Sequence, residues 1–326
     1  MNIRDTTLWK ILRKIFGSIR SIQGFKKQKI YGITYFGKED FKYQRKLRKE
    51  RLTKKRIYAL EDEMWSLPYK PKISVVMPVY NVEKQWLKEA IDSVIVQVYP
   101  NWELCIADDA SPGAHIKEVL DYYSKKDERI KVVYLENNLG IAGASNAALS
   151  FATGKYIAFL DHDDCLSRDS FFEVVKLLNE KPQADLIYSN EDKLTMGGMR
   201  LRPVYKTSWD PELFLSYNYL CHLVVCRAEL IERIGGFREG FDGSQDYDLL
   251  LRITELTPHI FHIPKVLYHW RMIPGSTAAI VDAKSKAFGS ARRALEDALK
   301  RRQIDGVIED AERPGTFKVR KITKEE

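Results

Sequence analysis

Polar side chains with chemical potential follow three apolar runs in the first half of the chain. Tyr80 and Asn81 end the run at residues 72–81, two aspartates follow residues 102–107, and Asp-His-Asp-Asp at 161–164 follows residues 156–160. Clustered carboxylates repel one another unless a cation or hydrogen-bond donors compensate their charge. Their hard oxygen atoms favour Mg²⁺ or Mn²⁺, which commonly bind one or two carboxylates while bridging phosphate oxygens. The pattern therefore predicts a site for a phosphate or diphosphate ligand.

The elements that must position these residues are strands buried on both faces of a parallel sheet, as continuous apolar runs indicate. A further run spans residues 130–135, and helical patterns lie near 115–124 and from Gly140 to about Ala152. Strands that alternate with helices indicate an α/β sheet with right-handed crossovers, which binds ligands beyond the carboxyl ends of its strands. A single acidic pair there is usually only a helix cap, whereas three polar endings at one edge favour a ligand site.

Several other classes of protein lack support in this sequence. No GxxxxGK[ST] loop occurs and no GxGxxG follows a strand pattern, which disfavours P-loop NTPases and dinucleotide-binding Rossmann enzymes. No run approaches the roughly 18 apolar residues of a membrane-spanning helix. The four cysteines lie in apolar runs without CxxC spacing, so we interpret them as buried reduced thiols and expect a cytoplasmic protein. They are Cys105, Cys165, Cys221 and Cys226.

Basic residues are concentrated at the start of the chain. Residues 1–56 carry 18 Lys or Arg against 4 Asp or Glu, whereas the remaining residues carry 35 against 41. Residues 8–22 have the period of an amphipathic helix, which either lies on an anionic membrane or packs against its own domain. Residues 42–56 hold nine basic residues and one acid. They form a solvated helix face, a lipid-headgroup patch or a nucleic-acid patch, and sparse aromatic residues disfavour the last.

Six short segments together resemble the family 2 glycosyltransferases of the GT-A fold. They are residues 73–81, 108–111, 140–146, 154–164 with a DxD element, 245–248 (Gln-Asp-Tyr-Asp) and 268–271 (Tyr-His-Trp-Arg). Each is weak alone, but their order along residues 72–300 is specific, and the bacterial polysaccharide, O-antigen or rhamnosyltransferase-like branch is the most similar. The resemblance implies an α/β fold with a mostly parallel central sheet flanked by helices. It also implies the domain limits that we expect: a basic helical extension at 1–70, the transferase at 71–303 and a hairpin or tail at 304–326.

The resemblance assigns roles on the donor side of the site. Tyr80 matches the position that stacks on the nucleotide base, Asp109 the one that hydrogen-bonds the base edge, and Asp161 the one near the ribose. Asp163 matches the ligand of Mn²⁺ or Mg²⁺, and a late histidine, His269, is either a further metal ligand or a core residue. The family's Ala-Arg-Asn is Ala-Ser-Asn at residues 144–146, which leaves base selectivity open. The other donor-binding candidates are Pro78, Asn146 and Arg271, the last facing the diphosphate.

The resemblance also implies an inverting transfer from a UDP- or dTDP-linked sugar to a glycan or lipid-linked glycan. Asp246 matches the catalytic base, and at the first turn of a helix it is expected to be stabilised in its charged form, although it could serve only as a cap. One base suffices for a single displacement, and no paired-carboxylate glycosidase pattern is present. The acceptor-side candidates are Glu191, Asp192, Trp209 and Gln245.

Two other readings stay open beside the enzyme. A donor-binding module would keep the acidic edge without turnover, and a membrane or nucleic-acid adaptor would act through residues 1–56. We expect the enzyme and a peripheral anchor on the inner face of the plasma membrane to coexist, without a nucleic-acid partner. The C-terminal segment also resembles segments that precede a second glycosyltransferase module in long tandem proteins. The chain is therefore either a single-module enzyme or part of a longer protein.

Overall fold

The structure is a computed structural model that describes residues 38–273 and 281–322. The amphipathic helix expected at residues 8–22 and the turn at 274–277 lie outside the described residues. From Lys38 onward the described residues belong to one compact unit. That unit includes two helices that the sequence analysis assigned to the N-terminal extension.

The helices that pack around the sheet are named in chain order. They are α1 (Lys38–Glu50), α2 (Lys54–Ser66), α3 (Lys84–Ile95), α4 (Ala114–Lys126), α5 (Gly140–Leu149), α6 (Ser170–Glu180), α7 (Pro211–Phe214), α8 (Ala228–Arg233), α9 (Gln245–Thr254) and α10 (Val281–Arg301). In α7, Asp210 accepts hydrogen bonds from the backbone of Glu212 and Leu213, and Pro211 occupies the first turn. This short helix therefore begins with ordinary capping chemistry.

The strands are likewise named in chain order. They are β1 (Ile73–Val79), β2 (Trp102–Asp108), β3 (Ile130–Tyr134), β4 (Tyr156–Phe159), β5 (Cys165–Leu166), β6 (Leu186–Leu194), β7 (Arg200–Val204), β8 (Val224–Arg227), β9 (Ile260–Arg271), β10 (Gly306–Asp310) and β11 (Phe317–Lys321). Strands β10 and β11 form the C-terminal hairpin that the sequence predicts.

The main sheet has the order β3-β2-β1-β4-β8-β6-β9-β5, with β7 pairing on β6. Strands β3, β2, β1 and β4 are parallel, as the apolar runs predict. Beyond β4 the sheet is mixed, because β8 runs antiparallel to both β4 and β6 while β9 runs parallel to β6. The expected α/β fold with a central sheet between helices is therefore confirmed, and its second half departs from the parallel pattern.

Apolar residues of β1 alternate between two cores on opposite faces of the sheet. Val75, Met77 and Val79 pack with α3, α4 and α6, whereas Val76 packs with α5, α9 and α10. Burying a side chain of this size stabilises the fold by roughly 1.5–3 kcal/mol relative to exposure. The continuous apolar run at residues 73–77 is thus a strand covered on both faces, which explains why it does not alternate with polar residues.

Strand β6 is longer than its sequence indicates. The charged segment at residues 190–193 favours an end of the strand after Ser189, but the observed strand continues to Leu194. Glu191 and Asp192 are buried within it, at 3% and 0% exposure. Lys206 pairs with Glu191 at 3.1 Å and Arg200 pairs with Asp192 at 2.7 Å. Both partners lie in the segment after β6. The residues next to Glu191 and Asp192 in the sequence therefore do not show that cations compensate the two carboxylates.

Candidate active site

A pocket lies at the carboxyl edge of the parallel strands, where the acidic endings were expected. It is lined from β1, from the segment after β4, from the segment before β8, from the first turn of α9 and from β9. The polar side chains and neighbouring residues that carry the chemistry discussed below are Pro78, Asp161, His222, Gln245, Asp246 and Tyr268. Together with Ile141 and Ser145 of α5 and with Phe237, these parts of the chain converge on one site.

The three aspartates after β4 occupy different environments. Asp164 is fully buried and accepts hydrogen bonds from the Tyr268 hydroxyl at 2.7 Å and the Arg271 backbone N–H at 2.6 Å. Burial and the neighbouring carboxylates raise the pKa of Asp164 well above its ordinary value. Burial also raises the pKa of Asp163, against the opposing effect of His162. Asp161 keeps 45% of its side chain exposed and lines the pocket. Its carboxylate is thus the most accessible of the three.

His222 lies between two carboxylates of the pocket and was not singled out from the sequence. Its Nε2 is 3.7 Å from Asp161 Oδ2, and its Nδ1 is 3.4 Å from Glu191 Oε2. Its ring stacks on Tyr268 with the centroids 4.5 Å apart. Burial lowers the pKa of His222, but the hydrogen bond and charge of Glu191 outweigh it and the net pKa is raised. A histidine next to an apolar run gave no local signal of this placement.

Asp246 lies in the first turn of α9 and lines the same pocket as Asp161. Asn218 donates a hydrogen bond from Nδ2 to Asp246 Oδ2 at 2.8 Å. Desolvation raises the pKa of Asp246, and the opposing effects of His222 and the Tyr247 backbone N–H are smaller. The helix terminus was expected to favour the charged form, and the Tyr247 backbone N–H acts in that direction, but the net pKa of Asp246 is raised. Burial outweighs the helix dipole here, and the result is a more basic carboxylate.

The donor-side candidates before α5 lie at the same edge. Pro78 lines the pocket, and its carbonyl oxygen is 3.1 Å from His162 Nδ1. Tyr80 is 47% exposed, which leaves its ring free to contact a ligand. Asp109 is buried and accepts a 2.6 Å hydrogen bond from the Leu139 backbone N–H. Their roles in binding a nucleotide base stay predictions.

Two other candidates are engaged away from the pocket lining. Asn146 donates from Nδ2 to the Phe237 carbonyl at 2.9 Å and accepts from the Phe237 N–H at 2.8 Å, so its amide ties α5 to a loop. Arg271 is 1% exposed and bonds Glu89 at 2.7 Å and the Asp163 carbonyl at 2.6 Å. Their roles toward a donor also stay predictions.

His269 is held on the face of β9 opposite Tyr268, because consecutive strand residues point to opposite faces. Its Nδ1 is 2.7 Å from Asp192 Oδ1, and it is 7% exposed. Among the described residues, the groups whose geometry could hold a metal ion are Asp161 with Asp164 and His222, and Glu191 with Cys221 and His222. His269 and Asp163, the two predicted metal ligands, are in neither group, and their roles as metal ligands stay predictions.

The acceptor-side candidates divide into two sets. Gln245 lines the pocket and its Oε1 is buried without a hydrogen-bond partner, while Glu191 approaches the pocket through His222. Trp209 instead packs against Phe214 and Tyr219, with ring centroids 5.3 Å and 6.4 Å away. Asp192 points to the opposite face of β6. The structure therefore brings Gln245 and Glu191 to the site and leaves Trp209 and Asp192 outside its lining.

The donor set fits a divalent cation. Burial raises the pKa of Asp163 and of Asp164, and Asp161 stays partly exposed in the pocket. Ligand atoms of Asp161, Asp164 and His222 lie within 4.8 Å of one another. Carboxylate oxygens with one imidazole are suitable ligands for Mn²⁺, and the oxygens alone suit Mg²⁺. The residues after β4 can therefore hold such an ion together with a diphosphate.

The sequence of residues 74–233 matches the family model described as glycosyl transferase family 2. The chain belongs to this family. The matched segment runs from β1 to α8, so it contains the acidic residues after β4 and the His222 segment. Asp246 lies beyond it, on the next helix.

Two relatives from bacteria are much longer than the segment that they share with this chain. The O-antigen biosynthesis protein RfbC of Myxococcus xanthus is 35% identical over 246 residues, which are 76% of this chain and 19% of RfbC. The uncharacterized protein y4gI of Sinorhizobium fredii is 48% identical over 233 residues, 71% of this chain and 26% of y4gI. This chain therefore spans about a quarter or less of the length of these two relatives.

Solved structures show the same GT-A fold. S. aureus TarS 1–349 in complex with UDP-GlcNAc has a TM-score of 0.54 at 20% identity, over 71% of this chain and 72% of that one. The mannosyltransferase PcManGT from Pyrobaculum calidifontis, in complex with GDP-Man and Mn²⁺, has a TM-score of 0.56 at 19% identity, over 74% and 70%. At 19–20% sequence identity, these two similarities show only that the folds are alike. Within its described residues, no helix is long and apolar enough to span a bilayer.

Proposed function

We propose that this family 2 glycosyltransferase moves a sugar from a nucleotide-diphosphate sugar to a hydroxyl of a polysaccharide or lipid-linked glycan, with inversion. The observation that carries the proposal is the presence of Asp246 and Asp161 in one pocket at the carboxyl edge of the sheet. Desolvation raises the pKa of Asp246, which therefore suits the role of a base. Asp161 belongs to the acidic cluster that suits a cation and a diphosphate.

In this proposal Asp246 accepts the proton of the acceptor hydroxyl as its oxygen attacks the anomeric carbon. The bond from that carbon to the diphosphate oxygen breaks on the opposite face, and the electron pair leaves with the diphosphate. Asn218 holds Asp246 by its 2.8 Å hydrogen bond to Oδ2. General-base assistance of this kind contributes about 10²–10⁴-fold to a rate. No protein nucleophile is needed for a single displacement.

Asp163, Asp161 and their neighbours would hold Mn²⁺ or Mg²⁺, which when bound neutralises charge on the leaving diphosphate. The complexes of TarS with UDP-GlcNAc and of PcManGT with GDP-Man and Mn²⁺ support a nucleotide-sugar donor and a divalent ion. A UDP- or dTDP-linked sugar is the donor that we propose, and the name of RfbC supports an O-antigen type of acceptor.

The proposal is tested by incubating the full chain with UDP-, dTDP-, GDP- and CMP-sugars, each with Mn²⁺ or EDTA, and with a glycan acceptor library. Expected products are the free nucleoside diphosphate and a glycan whose new anomeric centre is inverted, as NMR can establish. Binding of a nucleotide sugar without either product would instead support a donor-binding module. Retention of configuration would overturn the single displacement.

We also propose that the chain meets a lipid-linked acceptor at an anionic membrane through its basic surface, defined as the nine Lys and Arg side chains of residues 42–56. All nine are exposed on α1, on α2 or between them. Trp65 and Tyr58 of α2 are each 64% exposed, and such side chains suit the headgroup region. Each cation near an anionic surface adds about 1 kcal/mol, so nine of them give a substantial affinity.

Vesicle sedimentation tests the basic surface. The full chain should bind phosphatidylcholine vesicles that contain phosphatidylserine, and lose this binding in high salt or without the anionic lipid. Lys54→Gln, Lys55→Gln and Arg56→Gln together should weaken it. The matched control combines Lys125→Gln with Lys126→Gln, two exposed lysines of α4. Equal weakening by both sets would argue against a dedicated surface.

A further inference from the structure

Helix α1 places one buried aromatic side chain against the transferase sheet. The helix carries mostly charged residues, yet Tyr43 is 4% exposed and Asp40 is 8% exposed. Asp40 accepts a 3.2 Å hydrogen bond from the Arg202 backbone N–H, and Gln44 donates to the Arg200 carbonyl. One face of α1 is therefore packed on β7, while the opposite face carries cations of the basic surface.

Tyr43 enters a closed set of hydrogen bonds around Asp192. Its hydroxyl donates to Asp192 Oδ2 at 2.6 Å, and Arg200 Nε donates to the same oxygen at 2.7 Å. Arg200 Nη2 also donates to the Tyr43 hydroxyl at 3.1 Å. The other carboxylate oxygen, Oδ1, lies 2.7 Å from His269 Nδ1. Four elements, α1, β6, β7 and β9, are thus tied together at one fully buried carboxylate.

This set lies directly behind the residues that form the pocket. On β6, Asp192 follows Glu191, which points the other way and lies 3.4 Å from His222. On β9, His269 follows Tyr268, whose ring stacks on His222 and whose hydroxyl bonds Asp164. The register places Glu191 beside Tyr268 and Asp192 beside His269. The two strands therefore present the pocket on one face and the Tyr43 set on the other.

We propose that Tyr43 is a positioning residue for glycosyl transfer. By fixing Asp192 and His269 it holds β6 and β9 in register, so that Glu191, His222 and Tyr268 keep their places beside Asp161. The inference rests on the transfer proposed above. It gives α1, which lies outside the matched family segment, a role in the activity of the enzyme. It gives Asp192 and His269 a supporting function behind the site. A misplacement of about 1 Å at a reacting centre can lower a rate about 100-fold. Loss of the hydrogen bond from Tyr43 to Asp192 should therefore lower the rate of transfer measurably.

The test compares Tyr43→Phe with wild type in the full chain, because phenylalanine keeps the ring and removes only the hydroxyl. The expected result is a fall of about 10-fold in kcat, with the donor KM changed by less than about 2-fold. Titration with UDP and Mn²⁺ counts the binding-competent molecules, so kcat is expressed per competent site. Tyr122→Phe is the matched control, since that tyrosine is exposed on α4, and its kcat should equal that of wild type.

Asp192→Asn provides the second variant. If Tyr43 acts through Asp192, adding Tyr43→Phe to Asp192→Asn should lower kcat by less than Tyr43→Phe does in wild type. Independent, multiplicative losses would overturn the inference, as would an unchanged kcat for Tyr43→Phe. A loss explained wholly by fewer UDP-binding molecules would show a merely structural role and would overturn it too. Absence of transfer by wild type would refute the proposed function and this inference together, whereas wild-type transfer that Tyr43→Phe leaves unchanged would refute only the inference.

Discussion

Asn218 Nδ2 lies 2.8 Å from Asp246 Oδ2 and joins the segment before β8 to the first turn of α9. The contact fixes one carboxylate oxygen of a side chain that lines the pocket. It places a desolvated carboxylate across the site from the acidic residues after β4, although Asp246 follows Asp161 by 85 positions in the sequence. A carboxylate that faces an acidic edge in one pocket supports the single displacement that we propose.

Replacing Asp246 should separate turnover from donor binding. Asp246→Asn keeps the size of the side chain and its ability to accept from Asn218, but removes the proton acceptor. We expect kcat to fall by about 100-fold or more, with the affinity for UDP and Mn²⁺ nearly unchanged. Steady-state kinetics and calorimetric titration measure the two quantities. Asp242→Asn, at an exposed aspartate of the preceding loop, is the control. Near-normal kcat in Asp246→Asn would remove this residue from the role of base.

The raised pKa of Asp246 also predicts opposite effects of pH on activity and stability. Above the unfolded pKa of about 3.9, the folded state retains the proton that the unfolded state has lost, so stability falls as pH rises through the folded pKa. Asp246→Asn should therefore melt at a higher temperature than wild type at neutral pH. The difference should shrink in acid, where wild type is protonated. Calorimetry at several pH values measures it, and a lower melting temperature for the variant at neutral pH would contradict the cause given for the shift.

The acidic edge makes a separate prediction about metal dependence. Asp163→Ala should lose the part of UDP affinity that Mn²⁺ provides, because a carboxylate that compensates the ion is removed. Wild type should show a larger thermal shift with UDP and Mn²⁺ than with UDP and EDTA, and the variant should show similar shifts in both. Asp169→Ala is the control, at an aspartate just before α6 whose Oδ1 accepts from the Ser167 hydroxyl. An undiminished Mn²⁺ effect in Asp163→Ala would assign the ion to other residues.

The sequence predicted those features that local periodicity encodes. The apolar runs at β1 to β4 located the parallel half of the sheet, and the polar endings located its ligand edge. Sequence patterns could not show that Glu191 and Asp192 are buried. The cations that compensate them, Lys206 and Arg200, come close only when the chain after β6 folds back on that strand. His222 was missed for a similar reason, since its neighbours Asp161 and Glu191 come from other strands. Tyr43 was hidden within a basic segment whose charge suggested a solvated face.

Glu103 offers a test of the fold that is independent of the reaction. This residue of β2 is 1% exposed and bonds Lys72 at 2.7 Å, Lys131 at 2.8 Å and the Ser74 hydroxyl at 2.6 Å. Burial alone would raise the pKa of Glu103, but the hydrogen bonds from Lys131, Lys72 and Ser74 hold it well below its usual range. Thr153 adds a backbone N–H at 2.6 Å. Donors from four residues at one buried carboxylate thus link β1, β2 and β3 to the loop before β4.

Glu103→Gln should lower the free energy of unfolding by about 2 kcal/mol, since the amide cannot accept from all of these donors and both lysines lose their counter-charge. The lysines are partly exposed, which limits the loss. Because the folded pKa is depressed, the stabilisation is present above the unfolded pKa of about 4.3 and is lost as pH falls below it, so the two proteins should converge in acid. Urea unfolding at neutral and acidic pH measures this. Glu118→Gln, which removes an exposed pair with Lys84, should change stability by less than about 1 kcal/mol. An equal loss in both variants would show that burial of Glu103 does not govern its contribution.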